Sequence, residues 1–393
     1  MRRILFIMVL PMMAAGVFSC AHIDKPVRVP VLRDVTIAPR PVRVWVGAGI
    51  VSQPLEIAAK QEVDVWSWDG SRVLKAIKLD KTRAGFSRGA VVIGDNNWGL
   101  PSVILVPREG DHIRVKGDEY PGCVELVVQG ASVQAINYVP IEEYVAGVVS
   151  CEMPQYFDRA ALRAQAIAAR TYALWQMKEN RQASFDVRND QFSQVYRGLS
   201  GMTPSGRQAA QRTAGEVLVY DWRFLPALYF STCGGYTLPA SATAWAPQIP
   251  PLCGVPCTYC KASKKYRWGP EAVPSEEMEQ ALAKGNFLVG RLVDVKVTKT
   301  APGGWVDTVE VTSDKAKRQI SGQVLRQALG TSKLYSTKFS IRKSGAHYIF
   351  EGSGYGHGCG MCQWGADGMA RAGFNYVEIL RHYYPGADVL KIY

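Results

Sequence analysis

From residue 42 to residue 135 short apolar runs alternate with Gly, Asp and Asn turns. The runs 42–46, 63–68, 91–93, 103–106 and 124–128 are rich in Val and Ile, a spacing that predicts β-strands. The period then changes. A helical signature covers about 141–178. Within it Ala161-Leu-Arg-Ala-Gln-Ala-Ile-Ala-Ala-Arg-Thr-Tyr-Ala173 lacks Gly and Pro and is apolar on almost all sides, so it should be a buried helix. A second helix is predicted near 204–214. Strands at 217–220 and 227–230 lead into the turn Ser231-Thr-Cys-Gly-Gly235, and a Cys- and Pro-rich loop follows at 245–260. Strands at 292–299 and 306–312, a short helix near 321–329 and a final helix at 366–383 complete the pattern. No segment repeats. The reading is α+β, mostly antiparallel β with a buried Ala-rich helix at the active site, because nothing suggests alternating βαβ units.

The N-terminus changes the picture of where the chain works. Arg2 and Arg3 precede an apolar stretch from Ile4 to Phe18, shorter than the roughly 20 residues of a membrane span. It ends in Val17-Phe18-Ser19-Cys20, which looks like a bacterial lipobox with Cys20 as the acylated residue. Residues 1–20 are therefore expected to be a lipoprotein signal peptide, leaving an exported chain anchored to a bacterial membrane at its periplasmic face; soluble secretion after cleavage is the alternative, since Phe18 is bulkier than the usual lipobox residue. Ala21 after the Cys favours the outer membrane if the cell is Gram-negative. More than one acyl chain is needed for stable anchoring. Residues 21–41 carry Pro26, Pro30, Pro39 and Pro41 and read as an extended tether. A β-rich region at 42–120 and a catalytic domain at 121–393 follow. The net charge of +12 over 393 residues favours carboxylate-bearing partners or anionic lipid. The same charge would suit nucleic acid, but the export signal and the lack of any recognised binding module argue against it, so no nucleic-acid partner is expected.

Candidate chemistry centres on Cys151-Glu152 and the helix after it. Arg163, Gln165 and Arg170 interrupt an Ala-rich stretch. Buried polar groups cost roughly 1–3 kcal/mol each unless satisfied. A lone carboxylate at the mouth of such a helix suggests a pocket for a polar substrate. The alternative is that both arginines pair with structural acids and Glu152 is an N-terminal helix charge.

Four segments carry a resemblance. They are Tyr144-Val-Ala-Gly-Val-Val-Ser-Cys-Glu-Met-Pro154, the Ala-rich run from Ala161, Tyr229-Phe-Ser-Thr-Cys-Gly-Gly-Tyr-Thr237, and Gly352-Ser-Gly-Tyr-Gly-His-Gly-Cys-Gly-Met-Cys-Gln-Trp-Gly-Ala366. In this order they resemble the SpoIID/LytB family, named for stage II sporulation protein D and an amidase enhancer, and 320–330 and 334–339 fit as well. The likeness covers roughly residues 120–390. It implies a peptidoglycan lytic transglycosylase that cuts between N-acetylmuramic acid and N-acetylglucosamine and leaves 1,6-anhydro ends, some relatives requiring peptide-denuded strands. Glu152 matches the family's essential acid. A single carboxylate can suffice because the sugar's own C6 hydroxyl attacks, with an effective molarity up to roughly 10⁵ M or more. To act first as an acid it needs a raised pKa, which an apolar surround supplies and a nearby Arg163 or Arg170 would oppose.

The resemblance further implies substrate-binding or supporting roles for Gln165, Arg170, Tyr172, Ser231, Thr232, His357 and Gln363, with Ser353 a weaker candidate. Arg163 stands where catalytic members usually carry Lys. For Tyr172 a core aromatic, and for His357 an imidazole held by backbone bonds, are the structural alternatives. A non-catalytic wall-binding enhancer of a cell-wall amidase is the rival function, and a zinc hydrolase a third reading.

Eight cysteines besides Cys20 remain. Cys253, Cys257 and Cys260 with Cys233 have ligand-like spacing for structural zinc, while one or two disulfides tying the loop down are the alternative. No cofactor is required for the chemistry. Phe230 stands where many relatives have His. Cys359-x₂-Cys362 lacks the βαβ context of a redox motif, and a Cys151–Cys362 disulfide could brace the Glu152 loop.

Overall fold

The computed structural model describes residues 39–190 and 193–393; Cys20, the signal segment and nearly all of the tether lie outside them. The described tail of the tether is held down. Arg40 forks onto Asp186 with both distances 2.7 Å, and Arg43 binds the same carboxylate.

Two antiparallel sheets form the β-rich part. Strands Val42–Ile50, Ser132–Val139, Cys123–Gln129, Ser102–Pro107, Val63–Ser67 and Val73–Ile77 lie side by side in one sheet, with the short Val187–Arg188 added in parallel on the outer edge of Val42–Ile50. A second, six-stranded sheet is built around Leu55–Ala58, Thr82–Ser87 and Ala90–Ile93. Alternation along Val63–Ser67 puts Val63 and Val65 fully inside, as period-2 patterning requires. The first sheet continues past residue 120, since Val42–Ile50 pairs with Ser132–Val139.

The helical signature at 141–178 is two helices. α1 spans Ile141–Glu152 and α2 spans Arg159–Glu179. Met153 precedes Pro154, whose ring disfavours helical geometry in the residue before it, and Met153 is extended (φ −122°, ψ 139°). Asp158 then caps α2, its carboxylate accepting from the Ala160 amide. The correction matters because it puts Glu152 at the C-terminus of a helix and not at the N-terminal mouth of one. α3, Pro204–Arg212, crosses α1 closely: a Cβ on Gly206 would fall 2.1 Å from the Ser150 Oγ.

A second hydrophobic core gathers between residues 268 and 350, around Met278, Leu282, Val309, Leu325 and Phe350. It lies among two three-stranded sheets and two helices, α4 (Ser275–Lys284), which the sequence pattern did not predict, and α5 (Gly322–Leu329). Trp305 belongs to the first core instead and donates its indole N–H to the Tyr236 carbonyl at 3.0 Å, pinning the second unit beside the Ser-Thr-Cys turn. The predicted final helix is also two, α6 (Gln363–Arg371) and α7 (Tyr376–Tyr383). Gly373 at φ +92° breaks the run, and Asn375 with Glu378 forms a capping box that restarts it.

One pairing positions the site. Tyr229–Phe230 runs parallel to Met361–Cys362, matching Tyr229 with Met361 and Phe230 with Cys362. The predicted strand at 227–230 is thus cut to two residues. Gly360 is obligatory here, since a Cβ would lie 1.9 Å from the Leu228 carbonyl oxygen.

Candidate active site

Glu152 opens into a pocket of about 450 Å³ whose walls include Cys151, Thr203, Ser231, Gln363 and Trp364. Its Oε1 accepts the Val195 amide at 2.8 Å, and Oε2 faces the Gln363 side-chain amide at 3.4 Å. Burial pushes its pKa upward, and these two hydrogen bonds pull the other way without cancelling it. The C-terminus of α1 adds a partial negative charge of its own. Neither Arg163 nor Arg170 contributes to the shift. Burial therefore decides the question that sequence left open.

Arg170 has a different task from the one expected. It is fully buried and does not line the pocket. Its Nε and Nη2 bind the Glu142 carboxylate of α1, Nη1 reaches the Glu216 carbonyl at 3.1 Å, and Nη2 also reaches the Ala210 carbonyl of α3 at 3.1 Å. It is a clamp holding three elements together, and so the reading in which it pairs with a structural acid is the one the geometry gives. Burial raises the Glu142 pKa, but hydrogen bonds and charge from Arg170 outweigh that and leave it lowered. Tyr172 is a core aromatic whose hydroxyl accepts from Gln176 at 2.8 Å. Gln165 is fully buried, and neither atom of its amide has a hydrogen-bond partner among the described residues.

Ser231 lines the pocket, whereas Thr232 is buried behind it, its hydroxyl 2.8 Å from that of Ser263. His357 does not line the pocket. Its Nε2 lies 2.8 Å from the Tyr229 carbonyl, and Nδ1 accepts the Cys359 amide at 3.2 Å, which fixes a neutral imidazole. Burial lowers its pKa to about 4. Backbone bonds hold it, with Phe230 and Trp245 packed on its ring. Ser353 hydrogen-bonds through its backbone to Lys338 and Ser336.

The thiols of Cys233, Cys257, Cys260 and Cys362 converge, all four buried and all Sγ within 4.8 Å of one another. Tetrahedral zinc with bonds of about 2.3 Å places its sulfurs about 3.8 Å apart, and Cys233 and Cys260 are 3.5 Å apart. The Cys233 and Gly365 amides donate to the Cys362 sulfur at 3.2 and 3.3 Å. Hydrogen bonds from Cys233, then Cys260, pull the Cys257 thiol down. These four residues fit a closed structural zinc site. Two sequence expectations change here. Cys253 is exposed and not part of the set, and Cys362 takes the fourth place. Cys151 and Cys362 are both free thiols and the expected bridge between them is not formed, the Cys362 sulfur lying instead with those of Cys233, Cys257 and Cys260. The donor set also argues against a hydrolytic zinc, which keeps His or carboxylate ligands and an open position.

Val195, Thr203 and Trp364 were not anticipated. Val195 acts through its backbone amide, which no residue type advertises. Cys362 had a signal, a fourth thiol inside the glycine-rich element.

Comparisons with known proteins give the chain's relatives. A family model described as stage II sporulation protein matches residues 129–220, and one described as a domain of unknown function matches residues 258–360, the stretch that contains the second core. An uncharacterized protein of Brachyspira hyodysenteriae is 32% identical over 308 residues, 76% of this chain and 82% of that protein. Stage II sporulation protein D of Bacillus amyloliquefaciens is 35% identical over 282 residues, 68% of this chain and 78% of that protein. The amidase enhancer of Bacillus subtilis is 28% identical over 287 residues, 62% of this chain, and the match spans only 40% of the enhancer.

Proposed function

The chain belongs to the stage II sporulation protein D family, and from that premise we propose that it is a peptidoglycan lytic transglycosylase with Glu152 as its acid and base. The observation that carries the reading is the Glu152 carboxyl, raised by burial and facing a pocket between the Val195 amide and Gln363. Protonated Glu152 gives its proton to the glycosidic oxygen as the bond to C1 of the N-acetylmuramic acid breaks. The same sugar's C6 hydroxyl closes on C1, and the carboxylate takes the hydroxyl proton. The 1,6-anhydro ring forms without water, and Glu152 ends as it began. Between the two transfers the Val195 amide and Gln363 stabilise the carboxylate. Ser231, Thr203 and Trp364 offer hydroxyls and a ring face to the sugar.

A closed zinc site at Cys233, Cys257, Cys260 and Cys362 belongs to the same proposal. The metal would be structural, bracing the turn that carries Ser231 and the start of α6. Localisation follows from the sequence: Cys20 would anchor the chain to a bacterial membrane with the glycan as partner.

The match to an amidase enhancer supports a second reading, a non-catalytic wall protein that assists an amidase. A digest separates them. Mature protein without the acyl chain is incubated with intact and with amidase-denuded peptidoglycan, beside Glu152→Gln, and the soluble products are read by mass spectrometry. Anhydro-muramyl ends from the unaltered protein alone are expected. No anhydro product from either substrate, with wall binding intact, would leave the enhancer reading standing.

A further inference from the structure

A second groove, of about 350 Å³, adjoins the Glu152 pocket, at the small end of the roughly 300–1,000 Å³ common for ligand sites. Gln155 and Phe157 line both cavities, so the loop between α1 and α2 is the ridge separating them. Phe157 meets the Trp364 ring edge-on at 4.9 Å between centroids, which makes the ridge itself aromatic. Beyond it the walls are Arg159, Leu162 and Arg163 from the start of α2, and Pro204, Ser205 and Gln208 from the start of α3.

Charge is sorted along this cleft. Among the described residues, Glu152 is the one ionisable carboxylate or cation lining the first pocket, while the second groove has two guanidinium groups and no carboxylate. Arg159 is exposed. Arg163 sits lower and acts on Glu216 inside the fold, opposing the upward push of burial on that carboxyl. Two arginines on one side of a ridge also explain why neither depresses the Glu152 pKa. A guanidinium fork matches a carboxylate in plane and spacing, Gln208 and Ser205 suit hydroxyl or acetamido groups, and Leu162 with Pro204 gives an apolar floor for a ring.

We infer that this groove is a subsite for a carboxylate-bearing sugar of the glycan strand, one removed from the scissile bond, with Arg159 as its main contact. The inference rests on the glycan reading of the Glu152 pocket, and it makes Arg159 a specificity residue. The carboxylate is either the free lactyl group of a denuded muramic acid or a carboxylate of its peptide stem.

Binding tests it without turnover. In mature protein carrying Glu152→Gln, dissociation constants are measured by tryptophan fluorescence for three tetrasaccharides: an N-acetylglucosamine tetramer, a denuded glucosamine–muramic acid tetramer, and the same tetramer bearing peptides. Arg159→Gln is expected to weaken a carboxylate-bearing ligand about three- to tenfold, with the neutral tetramer changed less than about twofold, and Arg159→Lys to recover part of the loss. Loss confined to the denuded tetramer identifies the lactyl carboxylate; loss for the peptide-bearing one identifies the stem. Equal weakening of neutral and acidic ligands, or no change in any, overturns the subsite. A digest without anhydro ends would instead overturn the transglycosylase reading and leave this charge dependence intact.

Discussion

Gln363, in the first turn of α6, places its amide 3.4 Å from the Oε2 of Glu152, 211 positions earlier in the chain. The residue before it, Cys362, caps the same helix and belongs to the four-thiol set. The carboxylate and the sulfur cluster are thus joined through one peptide unit. Whatever fixes the start of α6 also fixes the group that stabilises ionised Glu152.

Removing that amide should therefore move a pH profile. Gln363 lowers the Glu152 pKa, so Gln363→Ala lets burial raise it further. The alkaline limb of the rate profile, which tracks loss of the protonated acid, is expected to shift to higher pH. The maximal rate should fall by about tenfold or less, since Val195 still donates to the carboxylate. An unshifted limb with a reduced rate would mean that Gln363 acts on substrate alone.

Glu152 should also cost stability. Its pKa is raised in the fold, so the folded state holds the proton more tightly than the unfolded chain. Its contribution is most favourable at low pH and is lost as pH rises through the folded pKa. Glu152→Gln keeps the shape without the charge, and the variant should melt above the unaltered protein near pH 8, with the gap closing near pH 4. A gap independent of pH would remove the buried-charge explanation. Turnover should fall about 10²- to 10⁴-fold in the same variant.

The Arg170 clamp makes the opposite kind of prediction. Truncating one partner of a buried ion pair leaves the other charge uncompensated, at a cost of about 3–5 kcal/mol. Arg170→Ala should lower the denaturant midpoint sharply, yet any folded fraction should retain the kcat of the unaltered protein. Because Arg170 holds the Glu142 pKa down, that stabilisation is present above the ordinary Glu range and fades as pH falls. A kcat loss with unchanged stability would return Arg170 to the pocket.

These residues show what the linear pattern could carry. Period-2 and Ala-rich stretches revealed the strands at 42–46 and 124–128 and the buried α2, because burial is written in residue type. The break at Met153 was legible only through Pro154, and its consequence, a carboxylate at a helix C-terminus, was missed by reading the two helices as one. Motif likeness drew Gln165, Arg170 and Tyr172 toward substrate together, although a helix turns by about 100° per residue and cannot aim all three at one pocket. Val195 was invisible, since its contact is an amide that every residue but proline owns. Which cysteine completes the cluster depends on the parallel pairing of Tyr229–Phe230 with Met361–Cys362, a long-range contact with no local signature.

That pairing gives the last prediction. If four thiols hold one metal, protein purified without chelator should contain about one zinc per chain. Cys253→Ser should leave the metal content unchanged, because that thiol is exposed and outside the set. Cys362→Ser should lower metal content and melting temperature together, since metal affinity here is folding free energy. It should also slow turnover, because Gln363 follows directly and faces Glu152. Elemental analysis beside thermal melts decides the matter. Equal zinc in the Cys362 and Cys253 variants would sink the assignment, and a mass lower by four hydrogens in a metal-free chain would replace the zinc with two disulfides.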